Sequence, residues 1–328
     1  MEIGVCAWSF TGAHREAGLD LDPHTPEGLI RLAVQHGLKS IECSPGSFDG
    51  KSQEEIDAFK SQLAEHNLSI ILDTGGAQFI EDISPLRDTL ETAHRVGAPV
   101  IRTTLSGVVE GDRRRFGKEG WKEYLDALVK PLKEVMPLAA EYGIPIGIEN
   151  HQDLCSWELV TLCEKVGSPM LGVTMDCGNS LAVGETMLRF ADRIMPYLKH
   201  VHLKDYTVHP SESGYRLKRC GLGSGVVDWP ALIAAFDQHA PQVRGCIELG
   251  ASVARHIRLL EEDYWGTYDE RPLEETLAAL RTLHQAARPT TQDWRTPHER
   301  NENAAECAAY ENEQFKASIS YLKGAKLI

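Results

Sequence analysis

Four polar residues stand where apolar runs give out. Glu149 closes PIGIEN, Asp176 closes LGVTMD, His202 interrupts HVHLKD and Glu248 follows the apolar start of GCIELG. A carboxylate buried alone is costly because the interior does not solvate charge, so one such acid needs a salt bridge or a cap. Four polar groups at equivalent depth on successive runs point instead to a shared partner. Three carboxylates and one imidazole make a mostly hard-oxygen donor set, which suits one divalent ion, Mn²⁺ first and Mg²⁺ or Co²⁺ next, better than a structural zinc. His151 adds a group of another kind. It stands two residues beyond Glu149, and residues two apart in a strand face the same way, which puts it one step above Glu149. An imidazole there can carry a proton without giving up a bond to metal; the plainer expectation is a loop histidine with no role.

The elements that must position these groups alternate. Strand signals fall at IGVCAW (3–8), SIECSP (40–45), SIILDTG (69–75), VIRTTL (100–105), PIGIEN (145–150), LGVTMD (171–176), HVHLKD (200–205) and GCIELG (245–250). Helix signals lie between them: Thr25 before Pro26, Ser52 with Glu55 as a capping box, Ser156, and Asp228 before Trp229 and Pro230. Gly37, Gly97, Gly143 and Gly167 are placed to close helices. The longest helical stretch, residues 120–143, contains Pro131 and Pro137, which predict a kink or a break. Eight strand and helix units with apolar rather than alternating strands predict a closed (β/α)₈ TIM barrel over residues 1–287. A doubly wound open sheet is the alternative, but no glycine-rich dinucleotide fingerprint follows the first strand, which runs into Trp8-Ser9-Phe10-Thr11-Gly12. Residues 288–328 break the repeat and predict a linker plus a helical arm starting at Thr296, Pro297 and Glu299. Its stripe of Ala304, Ala308, Phe315, Ile319 and Leu322 must pack on a subunit partner or on the barrel itself. An oligomer formed through this arm is therefore expected.

Composition narrows the partners. The 328 residues carry a formal net charge of −14, which disfavours nucleic acid and anionic membranes because phosphate binding needs a basic face. No apolar run approaches the roughly 18 residues of a membrane span, and MEIGVCAWSF has no secretory pattern, so a cytoplasmic protein is expected. The eight cysteines form no CxxC pair and sit in apolar runs, as buried reduced thiols do.

The ordered set IGIEN, GVTMDCGN, HVHLKD and CIELG resembles the sugar isomerase/epimerase superfamily with xylose-isomerase-like barrels, over residues 1 to about 287. The resemblance implies a divalent metal held by Glu149, Asp176, His202 and Glu248, and it selects His202 over His200, which is expected in the core. It implies a metal-dependent isomerase or epimerase of keto sugars. A substrate carbonyl and neighbouring hydroxyl would chelate the metal, an enediolate would form on proton removal, and Glu149 and Glu248 would act as base and acid. His151 is the alternative base. One departure stands out: where ketose epimerases carry a histidine three residues after the sixth-strand aspartate, this chain has Asn179, and Lys204 is placed to take over part of that network. The Glu149-Asn150-His151 triplet is similar to metal-binding subunits of C-glycoside deglycosidases. That likeness implies an alternative outcome, a lyase acting on 3-oxo-glycosides or a sugar or inosose dehydratase, through the same first proton abstraction. An endonuclease for abasic DNA, which needs several metals and more histidines, and a non-catalytic auxiliary subunit are the readings from other classes.

Further pocket residues follow from strand ends. Glu42, Asp73 and Arg102 end or lie in the second, third and fourth strands, with Arg102 able to pair with either acid or bind substrate. Trp8 and Phe10 could wall a sugar ring, whereas His14 is expected in a solvated loop. CGLGSGVVDW (220–229) has backbone N–H groups that could hold an anion, and Arg216, Lys218 and Arg219 before it could reach sugar hydroxyls.

Overall fold

In a computed structural model, which describes residues 1–250 and 252–328, all eight apolar runs become strands. In chain order they are β1 (Glu2–Cys6), β2 (Ser40–Cys43), β3 (Ser69–Thr74), β4 (Ile101–Thr103), β5 (Ile146–Glu149), β6 (Leu171–Asp176) and β7 (Leu198–Leu203). A hairpin of β8 (Asp205–Ser211) and β9 (Gly214–Cys220) follows, and then β10 (Arg244–Ile247). The eight barrel strands pair in parallel and close in the order β1-β10-β7-β6-β5-β4-β3-β2, which is the (β/α)₈ barrel. Helices α1 (Ala13–Glu16), α2 (Pro26–His36), α3 (Gln53–Glu65), α4 (Ser84–Val96), α5 (Gly117–Tyr142), α6 (Ser156–Val166), α7 (Met187–Ile194), α8 (Trp229–His239) and α9 (Leu273–Ala286) follow the strands. Their starts are capped as the sequence indicates: Thr25 accepts from Gly28 N–H, Ser52 and Glu55 form a reciprocal box, and Asp228 accepts from Ala231 N–H. Gly37, Gly97, Gly143 and Gly167 take left-handed conformations at helix ends, where a side chain would be strained. All eight cysteines are free and buried, and among the described residues no helix is long and apolar enough to cross a membrane.

Register sets the depth of the polar groups. Asp176 pairs with His202 and His202 pairs with Cys246, so Glu248 lies two residues further, at the carboxyl end of the barrel.

Four expectations need correction. Helix α5 continues through Pro131 and Pro137, so of the expected kink or break the break does not occur. Its buried stripe of Trp121, Leu128, Leu132, Val135, Met136 and Ala139 spans both prolines, and the carbonyls that lose a donor belong to exposed Ala127 and Lys133, where water can replace it. Residues 205–220 form a hairpin that the strand inventory omitted, joined by β11 (Arg255–Ile257) into a three-stranded antiparallel sheet. The arm helix α10 (Ala304–Gly324) begins at Asn303 with Glu306 as its box partner. Thr296 and Glu299 do exchange hydrogen bonds, yet they cap only one turn before Asn301 takes a left-handed φ of 57°.

The arm packs on its own barrel, with Phe315 against Phe10 and His36. His14 is buried rather than solvated, because Glu311 of α10 lies 3.2 Å from its Nδ1. Glu311 also accepts from Thr11 N–H at 3.0 Å and pairs with His298 Nε2 at 3.1 Å. Burial alone would raise its pKa, but the bonds from His14 and Thr11 and the Arg219 charge hold it near 2. A carboxyl whose pKa is depressed on folding adds stability above its ordinary 4.5, and that stability is lost as pH falls towards 2. Acid titration followed by near-ultraviolet circular dichroism should therefore show the arm contacts loosening in this window, and Glu311→Gln should flatten the transition.

Candidate metal centre

One donor atom from each of Glu149, Asp176, His202 and Glu248 lies within 4.8 Å of the other three, and all four residues are buried. How each is held explains why these atoms converge. Asn150 clamps the main chain of Asp176 from both sides, donating Nδ2 to its carbonyl at 3.0 Å and accepting its N–H at 2.7 Å, which locks the end of β5 to the end of β6. The Asp176 Oδ2 atom accepts from Lys204 Nζ and from Asn179 Nδ2, each at 2.7 Å, while Oδ1 has no partner. Tyr206 donates its hydroxyl to Asn179 Oδ1 at 3.0 Å. Asn179 thus fills the place of the expected histidine as part of a chain that orients Asp176.

Glu42 on β2 performs the same service for the imidazole. His202 Nε2 donates to Glu42 Oε1 at 2.8 Å and His200 Nε2 to Glu42 Oε2 at 3.0 Å, leaving His202 Nδ1 aimed at the acids without a hydrogen-bond partner. His200 is buried, as expected, but as a ligand to Glu42 rather than as inert core. Burial would raise the Glu42 pKa, yet the two imidazoles hold it well below the usual carboxylate range. Burial likewise works against a charged His202, but Glu42 and Glu149 raise it to about 10.

The remaining charges are balanced by cations. Arg102 of β4 contacts Glu149 Oε2, and Lys204 contacts Glu248 Oε2. Burial opposes ionisation of Glu149, but Arg102 holds its pKa well below the ordinary value. Burial pushes Asp176 up to about 7 despite Lys204. Buried acids with unpartnered inward oxygens, facing an imidazole nitrogen whose other side is anchored by a carboxylate, form a set that fits a divalent cation. Glu42→Gln should weaken Mn²⁺ binding by about 10- to 100-fold, the usual cost of losing the partner that orients a ligating histidine. Calorimetric titration of both proteins with Mn²⁺ checks this.

His151 is half-buried at the mouth and makes no side-chain hydrogen bond among the described residues. Burial lowers its pKa to about 4, outweighing the attraction of Glu149, and the charges of Arg102, Lys204 and Arg255 act in the same direction. Trp8 is 49% exposed and donates Nε1 to Asp73 Oδ2 at 3.0 Å, with Asp73 paired in register with Arg102.

Other expected pocket residues are not brought to the centre. Phe10 is buried under Phe315 and cannot wall a sugar. Arg219 is buried and donates to Ser9 O at 2.8 Å, Arg216 stacks 4.0 Å from the Trp294 ring, and Lys218 donates to Arg295 O at 2.8 Å. The glycine-rich turn already holds an anion from its own chain: the Asp205 carboxylate accepts from Gly223, Gly225 and Val227 N–H and from Trp229 Nε1. The Gly223, Gly225 and Val227 N–H groups are spent on closing the loop after β9 and are not open to phosphate.

A closed parallel barrel with a cation-fitting cluster at the carboxyl ends of β5, β6, β7 and β10 defines the class. The chain belongs to the xylose isomerase-like TIM barrel family, whose model matches residues 30–283. It is 26% identical over 272 residues to the 3-oxo-isoapionate decarboxylase of Pectobacterium atrosepticum, covering 81% of this chain and 92% of that protein. It is also 26% identical over 196 residues to the C-glycoside deglycosidase alpha subunit of Arthrobacter globiformis, covering 53% of this chain and 47% of that one. The chain spans less than two thirds of another curated relative, 61% of its length. The crystal structure of D-psicose 3-epimerase with D-tagatose from Clostridium cellulolyticum H10 superposes with a TM-score of 0.60 at 15% identity, over 87% of this chain and 99% of that one, a likeness of fold.

Proposed function

We propose that the protein is a divalent-metal-dependent enzyme that removes a proton from the carbon beside a carbonyl of a keto sugar and returns it elsewhere, as an isomerase or epimerase does. The observation that carries this reading is the convergence of Glu149, Asp176, His202 and Glu248 within 4.8 Å, with Glu149 Oε1, Asp176 Oδ1 and His202 Nδ1 free of any hydrogen-bond partner. Those four residues would hold the ion, Mn²⁺ in preference to Mg²⁺ or Co²⁺ given the oxygen-rich set, and when bound it would supply Lewis-acid stabilisation of charge on the substrate oxygen. Glu149, kept ionised beside Arg102, is suited to take the proton, and on the opposite side Glu248, in contact with the Lys204 ammonium from which it can draw a proton, to return one. Trp8, exposed and fixed by Asp73, offers an apolar wall to the sugar ring.

A second reading has its own support. Arg255 shares the inward face of β11 with fully buried Ile257, and its charge acts on His151 and Tyr206. It has no ion pair or side-chain hydrogen bond among the described residues. A cation without a counter-charge beside the mouth suits a substrate carboxylate, and one relative, matched over 81% of this chain, is a 3-oxo-isoapionate decarboxylase. With the carbonyl β to the carboxylate, the carbon–carbon bond breaks, its electron pair enters the carbonyl system, carbon dioxide leaves, and a proton is then added at carbon. A 3-oxo-glycoside would undergo the alternative elimination, losing its aglycone after proton abstraction.

Incubation of the Mn²⁺-loaded protein with keto sugars, 3-oxo-glycosides and 3-oxo sugar acids in deuterium oxide separates these outcomes. Isomerase action gives deuterium-labelled sugar of unchanged connectivity, elimination releases aglycone, and decarboxylation releases carbon dioxide. Absence of label or product from every class would remove the enzymatic reading.

A further inference from the structure

We propose that Glu311, near the middle of the C-terminal helix α10, is a positioning residue for Glu248 at the centre of the barrel. The inference rests on the reading of Glu248 as a metal ligand, and it gives the arm a role in the site.

The connection can be followed atom by atom. Glu311 is fully buried and accepts from Thr11 N–H at 3.0 Å, which holds the loop after β1, and its Oε1 lies 3.8 Å from Arg219 Nη1. Arg219 in turn donates Nη2 to Ser9 O at 2.8 Å, and Tyr310, one residue before Glu311, donates its hydroxyl to Arg219 O at 3.0 Å. Ser9 then grips the end of β10 on both sides of Glu248. Its Oγ donates to Ile247 O at 2.7 Å and accepts from Leu249 N–H at 3.3 Å. Gly250 completes the contact, because a Cβ there would collide with both the Trp8 carbonyl and the Glu248 carboxylate. The same loop therefore carries Trp8 to the mouth and fixes the backbone that presents Glu248.

Two features argue for positioning rather than general adhesion. Apolar contact between Phe315 and Phe10 already docks the helix, and Gln314 and Ser318 tie it to Gly221 and Leu222 N–H at 2.8 and 3.0 Å, on the other loop. A fully buried carboxylate adds desolvation cost to a helix that already has these anchors, and besides pairing with His14 and His298 it bonds Thr11 N–H of the loop that brackets Glu248. An arm whose only task was to cover the barrel needs no charge there.

Mn²⁺ affinity of the full chain tests this without reference to turnover. Glu311→Gln should weaken Mn²⁺ binding by roughly 10-fold, the low end for a residue acting through a ligand's support. In a Glu248→Gln background, which removes the group being positioned, Glu311→Gln should have no further effect. Gln314→Ala, which loosens the helix at the other loop, should leave affinity unchanged. Ser9→Ala breaks the relay beside Glu248 without touching the helix, and it should reproduce the loss even where Glu311→Gln fails to fold. Wild-type affinity in folded Glu311→Gln and in Ser9→Ala overturns the inference alone, as does a Glu311→Gln effect that persists in the Glu248→Gln background. No Mn²⁺ binding by the wild-type chain overturns the metal-centre reading as well.

Discussion

Glu149→Gln is expected to abolish turnover and to weaken Mn²⁺ binding by at least about 100-fold, more than the loss of a residue that merely orients a ligand. Glutamine keeps the shape of the side chain, so the effect isolates charge. On the proposed reading charge does two things at this position: it would give the cation an anionic donor, and it would supply the proton acceptor beside the substrate carbon. The variant also leaves Arg102 buried without its nearest carboxylate. Breaking a buried pair commonly costs about 3–5 kcal/mol, but Asp73 remains beside Arg102, and like-charge repulsion from Asp176 and Glu248 is relieved. The protein should therefore remain folded. Calorimetry with Mn²⁺, paired with a thermal melt, reads both effects; unchanged affinity in a folded variant would remove Glu149 from the proposed ligand set.

How much of this was legible from residues alone follows from the forces involved. The barrel strands are apolar on both faces because helices cover them outside and neighbouring strands fill the inside, so each reads as a run, and its end reads as the first polar residue. That is why Glu149, Asp176 and Glu248 stand out at the ends of runs, whereas the choice of His202 over His200 came from the family resemblance; the fold brings all four to one depth. The hairpin after β7 was harder. HVHLKD runs into DYTVH without a turn signal, and the alternation of Tyr206 and Val208 with polar neighbours resembles a loop as much as a strand. Arg219 shows a different limit. Its charge suggests a substrate contact, but its face of β9 is shared with buried Leu217 and points at the loop after β1, a fact only the tertiary pairing supplies.

The glycine-rich turn illustrates the same limit from the other side. Its donors do bind an anion, as their chemistry requires, but the anion is Asp205, fifteen residues upstream of Cys220 where the turn begins. Local sequence shows the capacity to bind and is silent about the occupant. The arm is similar: the stripe through Phe315, Ile319 and Leu322 demanded burial, and both a partner subunit and the barrel satisfied that demand until the fold brought Phe10 and Thr11 to it.

His151→Ala should keep its Mn²⁺ affinity, and where the reaction expels a leaving group it should lose turnover by about 100- to 10,000-fold, the usual contribution of a positioned general acid or base. The expected split between binding and turnover comes from how the two neighbours are held. Glu149 is deep, in contact with Arg102, and belongs to the converging donor set, whereas His151 is only half-buried, two residues nearer the mouth and outside that set. With no side-chain hydrogen bond committing the ring, it is free to meet a substrate group above the centre. That placement matters most for a leaving group, which departs on the mouth side. An epimerase using Glu149 and Glu248 as its acid and base would tolerate the substitution, while a reaction that expels an aglycone would lose the residue nearest the departing oxygen or carbon. Measuring label exchange at the substrate carbon and product release side by side in His151→Ala decides between them. Exchange that survives while release fails assigns His151 to the leaving group, loss of both assigns it to proton abstraction, and full activity in both removes it from the mechanism.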